Sequence, residues 1–270
     1  MHFFIDPLTF SFFYRALIIG LLLAFSCALL GNFIVLRREA IMSHTISHSA
    51  LFGISLALFL NYNINIFLFL AAFIGILMIF ALKNFRLMAS DSSLEIIAQT
   101  FIAASIIIIS QIKGYKPDIM QFLFGDILAV NQQDVLLSVI ISILTFIFFI
   151  LFKDKLLQIT FNEELAKSSG AKVSKINFIF FLCLGLTIAI SLKIIGAILI
   201  SAFLIIPANT AKILAKNFRQ MYVYALIFAI LGTTIGLFAS YHLDTPSGAM
   251  IVITLSLILT IASIIKKAAN

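Results

Sequence analysis

An all-α, polytopic transmembrane fold is what this sequence predicts, on three observations. Of the 270 residues, 63% are hydrophobic and only 11% charged, whereas a soluble globular domain is about half apolar and a quarter charged. Apolar runs of about 20 residues, the length a helix needs to cross about 30 Å of hydrocarbon, follow one another from end to end. The basic residues fall between these runs and crowd alternate connections, as the positive-inside rule requires.

Read between charge clusters, the runs predict about nine spans, with bounds of eight to ten, near 12–36, 39–60, 64–82, 95–112, 134–152, 176–192, 194–214, 221–240 and 248–265. The first follows His2, Asp6 and a single Arg15 without the basic region and small-residue cleavage site of a signal peptide, so it is kept as a span. The second carries His44 and His48. Between the fourth and fifth, residues 119–130 are apolar, but at about 12 residues and with Asp126 inside they read as a half-helix or re-entrant segment. The seventh contains Pro207, which removes a backbone hydrogen bond and bends the helix beside Ala208, Asn209 and Thr210, for gating or for packing. Gly232 and Gly236 in the eighth form a Gly-x-x-x-Gly suited to close helix packing. Cys27 and Cys183 lie inside apolar stretches and read as packing residues.

Of the 18 Lys and Arg, 14 fall on connections after odd-numbered spans, and only Arg15, Lys113, Lys116 and Lys193 fall on the other side. This predicts the N-terminus outside and the C-terminus in the cytoplasm. The net charge of +7 therefore reports topology and contact with membrane lipid, not nucleic acid.

The chain reads as a single membrane domain, 1–270, in which the longest connection, 153–175, is cytoplasmic. Within it Asn162 is an N-cap, Glu163 and Glu164 an acidic first turn, and Gly170 a terminator, which predicts a short helix on the cytoplasmic face. From this pattern alone it is either a docking element or a solvated linker.

Ionisable groups within a bilayer are costly and so are candidates for function. His44 and His48, at i and i+4, point the same way along one helix face. With the span centred near Ala50, His48 lies about 3 Å and His44 about 9 Å from the midplane, both predicted buried. Two imidazoles suit Zn²⁺ better than Mn²⁺ or Mg²⁺, which favour oxygen. Hydrogen bonding to neighbouring helices beside Ser43, Thr45, Ser47 and Ser49 is the alternative use. Asp126, His242 and Asp244 are further contributors to consider. Asp126 also suits a helix cap, and the outer-loop pair His242 and Asp244 suits receipt of metal from outside or simple solvation. Asp126 is the one acid read as intramembrane, too few for an ion-driven secondary transporter with paired acids and inverted repeats. A metal hydrolase is disfavoured by the absence of His-Glu-x-x-His. No Gly-x-x-x-x-Gly-Lys-[Ser/Thr] occurs, so the chain is not predicted to be an enzyme and any ATP is hydrolysed by another chain.

Several segments in order carry a resemblance: Arg15-Ala16 with Gly20, Gly31-Asn32-Phe33-Ile34-Val35-Leu36-Arg37-Arg38, His48-Ser49-Ala50-Leu51-Phe52-Gly53 and Leu123-Phe124-Gly125-Asp126. Further on are Asn162-Glu163-Glu164-Leu165-Ala166 with Gly170, Gly196 to Ile200 leading to Pro207-Ala208-Asn209-Thr210-Ala211, and Asp244-Thr245-Pro246-Ser247-Gly248. From about Phe12 to about Ile253 the chain resembles the ZnuB-like membrane permeases of bacterial zinc and manganese ABC uptake transporters. The resemblance implies an inner-membrane homodimer, a cytoplasmic ABC ATPase of the ZnuC kind and an extracytoplasmic metal-binding protein. It also implies Zn²⁺, or Mn²⁺ or Fe²⁺, as transported substrate with no permanently bound cofactor. The helix at 162–170, with Asn162, Glu163, Glu164, Ala166 and Gly170, becomes a coupling helix for the ATPase. The family's second span commonly reads Gly-Asp-x-x-x-His; here Ser43 and His44 stand at the Gly-Asp positions and His48 is retained, replacing a carboxylate by an imidazole.

Overall fold

Hydrophobic runs that cannot satisfy their backbone in lipid except as helices give a wholly helical architecture. The computed structural model describes residues 7, 10–84, 91–112, 123, 125, 130–197 and 199–269, and these contain no strand. In chain order the helices are α1 (Ser11–Arg37), α2 (Ala40–Leu60), α3 (Ile64–Asn84), α4 (Asp91–Ser110), α5 (Gln132–Phe161), α6 (Glu163–Ser168), α7 (Val173–Ile195), α8 (Leu199–Leu214), α9 (Phe218–Leu243) and α10 (Ser247–Ala269). Among the described residues eight of these are long and apolar enough to cross a membrane, and α8 is a shorter apolar helix.

The bundle has two parts joined by α7. In one, α2 packs against α3 and α4; in the other, α1 packs against α5, α8 and α9, and α10 covers α8 and α9. α7 touches members of both. Helix-end contacts fix which ends are neighbours. Arg37 bonds Thr160 and Asn177 at 3.0 Å each, Lys83 pairs with Glu39, and the Phe33 and Phe218 rings lie 5.5 Å apart. The C-terminal ends of α1, α3 and α5 therefore share one end of the bundle with the N-terminal ends of α2, α7 and α9. These are the connections rich in Lys and Arg. At the opposite end Phe13 meets Tyr241, with ring centroids 5.6 Å apart.

Close approach replaces the hydrophobic effect as the packing device between lipid-embedded helices. A Cβ on Gly31 would stand 2.1 Å from the backbone oxygen of Leu204, so α1 and α8 touch backbone to backbone there. Gly232 and Gly236 seat Leu255 and Ile251 of α10 in the same manner, the use predicted for that motif.

Of the boundaries that differ from expectation, three bear on the site and its neighbours. The fourth span begins at Asp91 rather than 95, which carries Glu95 one turn into α4. The fifth continues past 152 to Phe161, so much of the expected loop 153–175 is an extension of α5, stopped by the Asn162 cap. The seventh begins at Leu199 rather than 194, because Gly196 takes φ 98° and breaks the chain between α7 and α8. At 16 residues α8 is about 24 Å long, short of a full crossing.

Candidate metal site

α2 packs against α3, α4 and α7. Thr45 Oγ1 donates to the Leu94 carbonyl of α4 at 3.1 Å. Ser47 and Ser49 turn their hydroxyls onto the α2 backbone, at 2.8 Å to the carbonyls of His44 and Ile46. Polar side chains so satisfied leave the imidazoles to one another.

His44 and His48 do converge. Their Nε2 atoms are 2.8 Å apart and the rings meet edge to face at 88°. His48 is buried, at 3% exposure. His44 departs from the prediction: 34% of its side chain is exposed, because it leans toward α4, where Glu95 Oε2 lies 3.4 Å from its Nδ1. Glu95 is the residue that sequence reasoning missed. An acid followed four residues later by Gln99, whose amide donates to it at 2.7 Å, was the available signal.

With both rings neutral and Glu95 ionised, one tautomer pair suits these contacts. Glu95 calls for the proton of His44 on Nδ1, which leaves His44 Nε2 as acceptor and makes His48 Nε2 the donor across 2.8 Å. A tetrahedral Zn²⁺ with Zn–N bonds of about 2.0–2.1 Å separates two ligand nitrogens by about 3.3 Å. A shift of about half an ångström therefore opens the pair enough to take an ion in place of the shared proton. His48 must then carry its proton on Nδ1, which is buried and has no hydrogen-bond partner. A buried donor left unsatisfied costs about 1–3 kcal/mol. That cost would weaken metal binding by the pair. Glu95 would act in the opposite sense, as a carboxylate behind an imidazole that holds its ring in orientation. Among the described residues no cluster of three or more His, Cys, Asp and Glu is set to hold an ion directly, so water or a weaker donor completes any coordination.

The other predicted residues do not join this site. Asp126 lies outside the described residues. His242 sits exposed in the last turn of α9 beside Tyr241, and Asp244, exposed with φ 51°, caps that helix. Both lie at the far end of the bundle from His44. Pro207 is buried inside α8. The short helix expected from 162 onward is α6: Asn162 Oδ1 accepts from Leu165 N at 2.9 Å, Gly170 takes φ 83°, and Ala166 is buried against the bundle.

A buried acid was also not foreseen from the sequence. Asp134 is almost fully buried in the first turn of α5 and pairs with Lys193 of α7 at 2.6 Å. Asp134 also closes a capping box with Asn131.

Residues 9–266, nearly the whole chain, match a single family of transport proteins. This chain belongs to the ABC 3 transport family. It is similar to the high-affinity zinc uptake system membrane protein ZnuB of Haemophilus influenzae, 34% identical over 261 residues, which are 96% of this chain and 98% of that protein. It is also similar to the manganese transport system membrane protein MntB of Synechocystis, at 29% identity over 97% of this chain and 86% of MntB. Among solved structures, PsaBC from Streptococcus pneumoniae in complex with Fab superposes with a TM-score of 0.86 at 29% identity, covering 99% of both chains. With its long apolar helices, this member of the ABC 3 family is a multi-pass inner-membrane transport protein.

Proposed function

We propose that this chain is the membrane permease subunit of an ABC importer for a divalent metal, with Zn²⁺ as the favoured ion. The convergence of the His44 and His48 Nε2 atoms at 2.8 Å on α2 carries the reading. Nitrogen ligands suit zinc, and His44 occupies the position where the family commonly has an acid. ZnuB being named a zinc uptake protein supports this choice.

In this reading the whole chain, 1–270, is one permease domain with its N-terminus outside and its C-terminus in the cytoplasm. Two copies form a homodimer in the lipid bilayer, and an extracytoplasmic metal-binding protein delivers the ion. His242 and Asp244 face the outer surface, where metal is received. The ion passes between the copies to His48 and His44, whose exposed edge faces away from its own bundle. Asp126 adds an oxygen donor or a cap along the path, and Pro207 supplies the bend at which α8 yields. The cytoplasmic ABC ATPase docks on the segment 153–175. There α6 presents Leu165, 66% exposed, and α5 ends on Phe161, 77% exposed, two apolar side chains unusual for a water-facing surface. Glu163, Glu164 and Gly170 frame that helix.

Manganese is the second reading, supported by MntB's name and by Glu95, an oxygen donor one imidazole away from the pair. The ion is tested by uptake of Zn²⁺ and Mn²⁺ into proteoliposomes holding this chain with its ATPase and binding protein, native against His44→Asp. The zinc reading expects native uptake of zinc in preference and a shift toward manganese in His44→Asp. Native preference for manganese refutes it.

A further inference from the structure

α1 and α2 are joined by only Arg38 and Glu39, so Arg37 and Glu39 flank one tight corner. Arg37 reaches from it to both flanks of α6. Its Nε donates to Thr160 Oγ1 and its Nη1 to Asn177 Oδ1, each at 3.0 Å. Thr160 stands two residues before the Asn162 cap of α6, and Asn177 lies in the first turns of α7. The guanidinium also rests 5.0 Å above the Phe180 ring. On the α2 side of the corner Glu39 pairs with Lys83 of α3, whose ammonium is 5.2 Å above Phe181.

Arg37, Glu39, Lys83, Thr160, Asn177 and Glu163 line one polar cavity of about 370 Å³. Two buried atoms there, Arg37 Nη2 and Glu39 Oε2, make no hydrogen bond. Both atoms therefore have no bond to another protein group and are open to an acceptor or donor in the cavity. Five residues beyond Glu39 on the same rigid helix, about 7 Å along its axis, stands His44.

We propose that Arg37 is the positioning residue that carries displacement of α6 into the α1–α2 corner, and through α2 to the histidine pair. A guanidinium is a planar fork with fixed donor directions, so bonds to both flanks of α6 leave little compliance between that helix and the corner. When α6 moves, the corner moves with it, and the free Nη2 can take up an acceptor in the cavity as one bond lengthens. This inference rests on the reading of α6 as the ATPase-docking element.

The test measures zinc taken up per ATP hydrolysed in proteoliposomes with the ATPase and binding protein, after size-exclusion chromatography has shown an assembled complex. Arg37→Gln, Thr160→Val and Asn177→Leu are compared with native and with Arg38→Gln, an exposed neighbour outside the network. Arg37→Gln is expected to keep hydrolysing ATP while zinc per ATP falls about fivefold or more, the lower end of coupling between two sites. Thr160→Val and Asn177→Leu each fall part of the way, and Arg38→Gln holds the native ratio. Where Arg37→Gln does not assemble, the ratio in the two acceptor variants, which keep the guanidinium, decides. A native ratio in the assembled variants, or hydrolysis and uptake falling together, overturns the inference. Native complexes that hydrolyse ATP yet take up no metal overturn the transport reading itself.

Discussion

Replacing Gly31 by alanine adds one methyl group at the tightest helix contact described. The new Cβ would stand 2.1 Å from the Leu204 oxygen and 3.1 Å from its carbonyl carbon. Contact between a methyl carbon and a carbonyl oxygen is relaxed at about 3.3 Å or more, so α1 and α8 must part by about 1 Å or the α8 backbone must turn. The obstacle is main chain within a helix and cannot swing aside as a side chain would. Overpacking of this kind costs about 1–3 kcal/mol. Thermal unfolding of detergent-solubilised protein is the assay, and Gly31→Ala is expected to lower Tm by several degrees. Gly170→Ala separates space from conformation: nothing lies within 4 Å of that site, and only the positive φ of 83° opposes a side chain. Its cost is about 1 kcal/mol. Equal or higher Tm in Gly31→Ala than in native protein refutes the close approach of α1 and α8.

Other outcomes follow from single contacts. Glu95→Gln removes the carboxylate that orients His44, and the zinc concentration for half-maximal uptake should rise about 10–100-fold, read from transport against metal concentration. Asp134→Asn or Lys193→Met alone strands a buried charge or weakens its partner, at about 3–5 kcal/mol for full loss, whereas Asp134→Leu with Lys193→Met together should regain most of the loss in a thermal-shift comparison. Leu165→Asp places a charge on the exposed apolar face of α6 and should abolish co-purification of the ATPase while leaving the permease folded.

What could be read from the sequence was whatever depends on neighbours along the chain. The apolar runs marked every long helix, and the cap at Asn162 with the glycine at 170 marked α6, because both are local. The His44 and His48 convergence was legible because i and i+4 share a helix face. Glu95 was overlooked because it sits at the edge of an apolar run, where a charge normally meets water; its partner His44 is 51 positions away, and only the packing of α4 on α2 brings them together. The Asp134–Lys193 pair spans 59 positions and was hidden for the same reason. The length of α5 was underread because Lys153, Asp154 and Lys155 end its apolar run without ending its helix. Hydropathy measures the hydrocarbon, and helices can project beyond it. The break at Gly196, later than expected, had a visible glycine, but the positive φ that uses it belongs to tertiary structure.

Whether the His44–His48 pair lies on a metal path is decided by zinc uptake into proteoliposomes carrying the native permease, His44→Ala or His48→Ala with the same ATPase and binding protein. Uptake that collapses in both variants, in complexes that still assemble and bind the ATPase, is the predicted result. Uptake at the native rate in either variant contradicts the account and returns the pair to a structural role within α2.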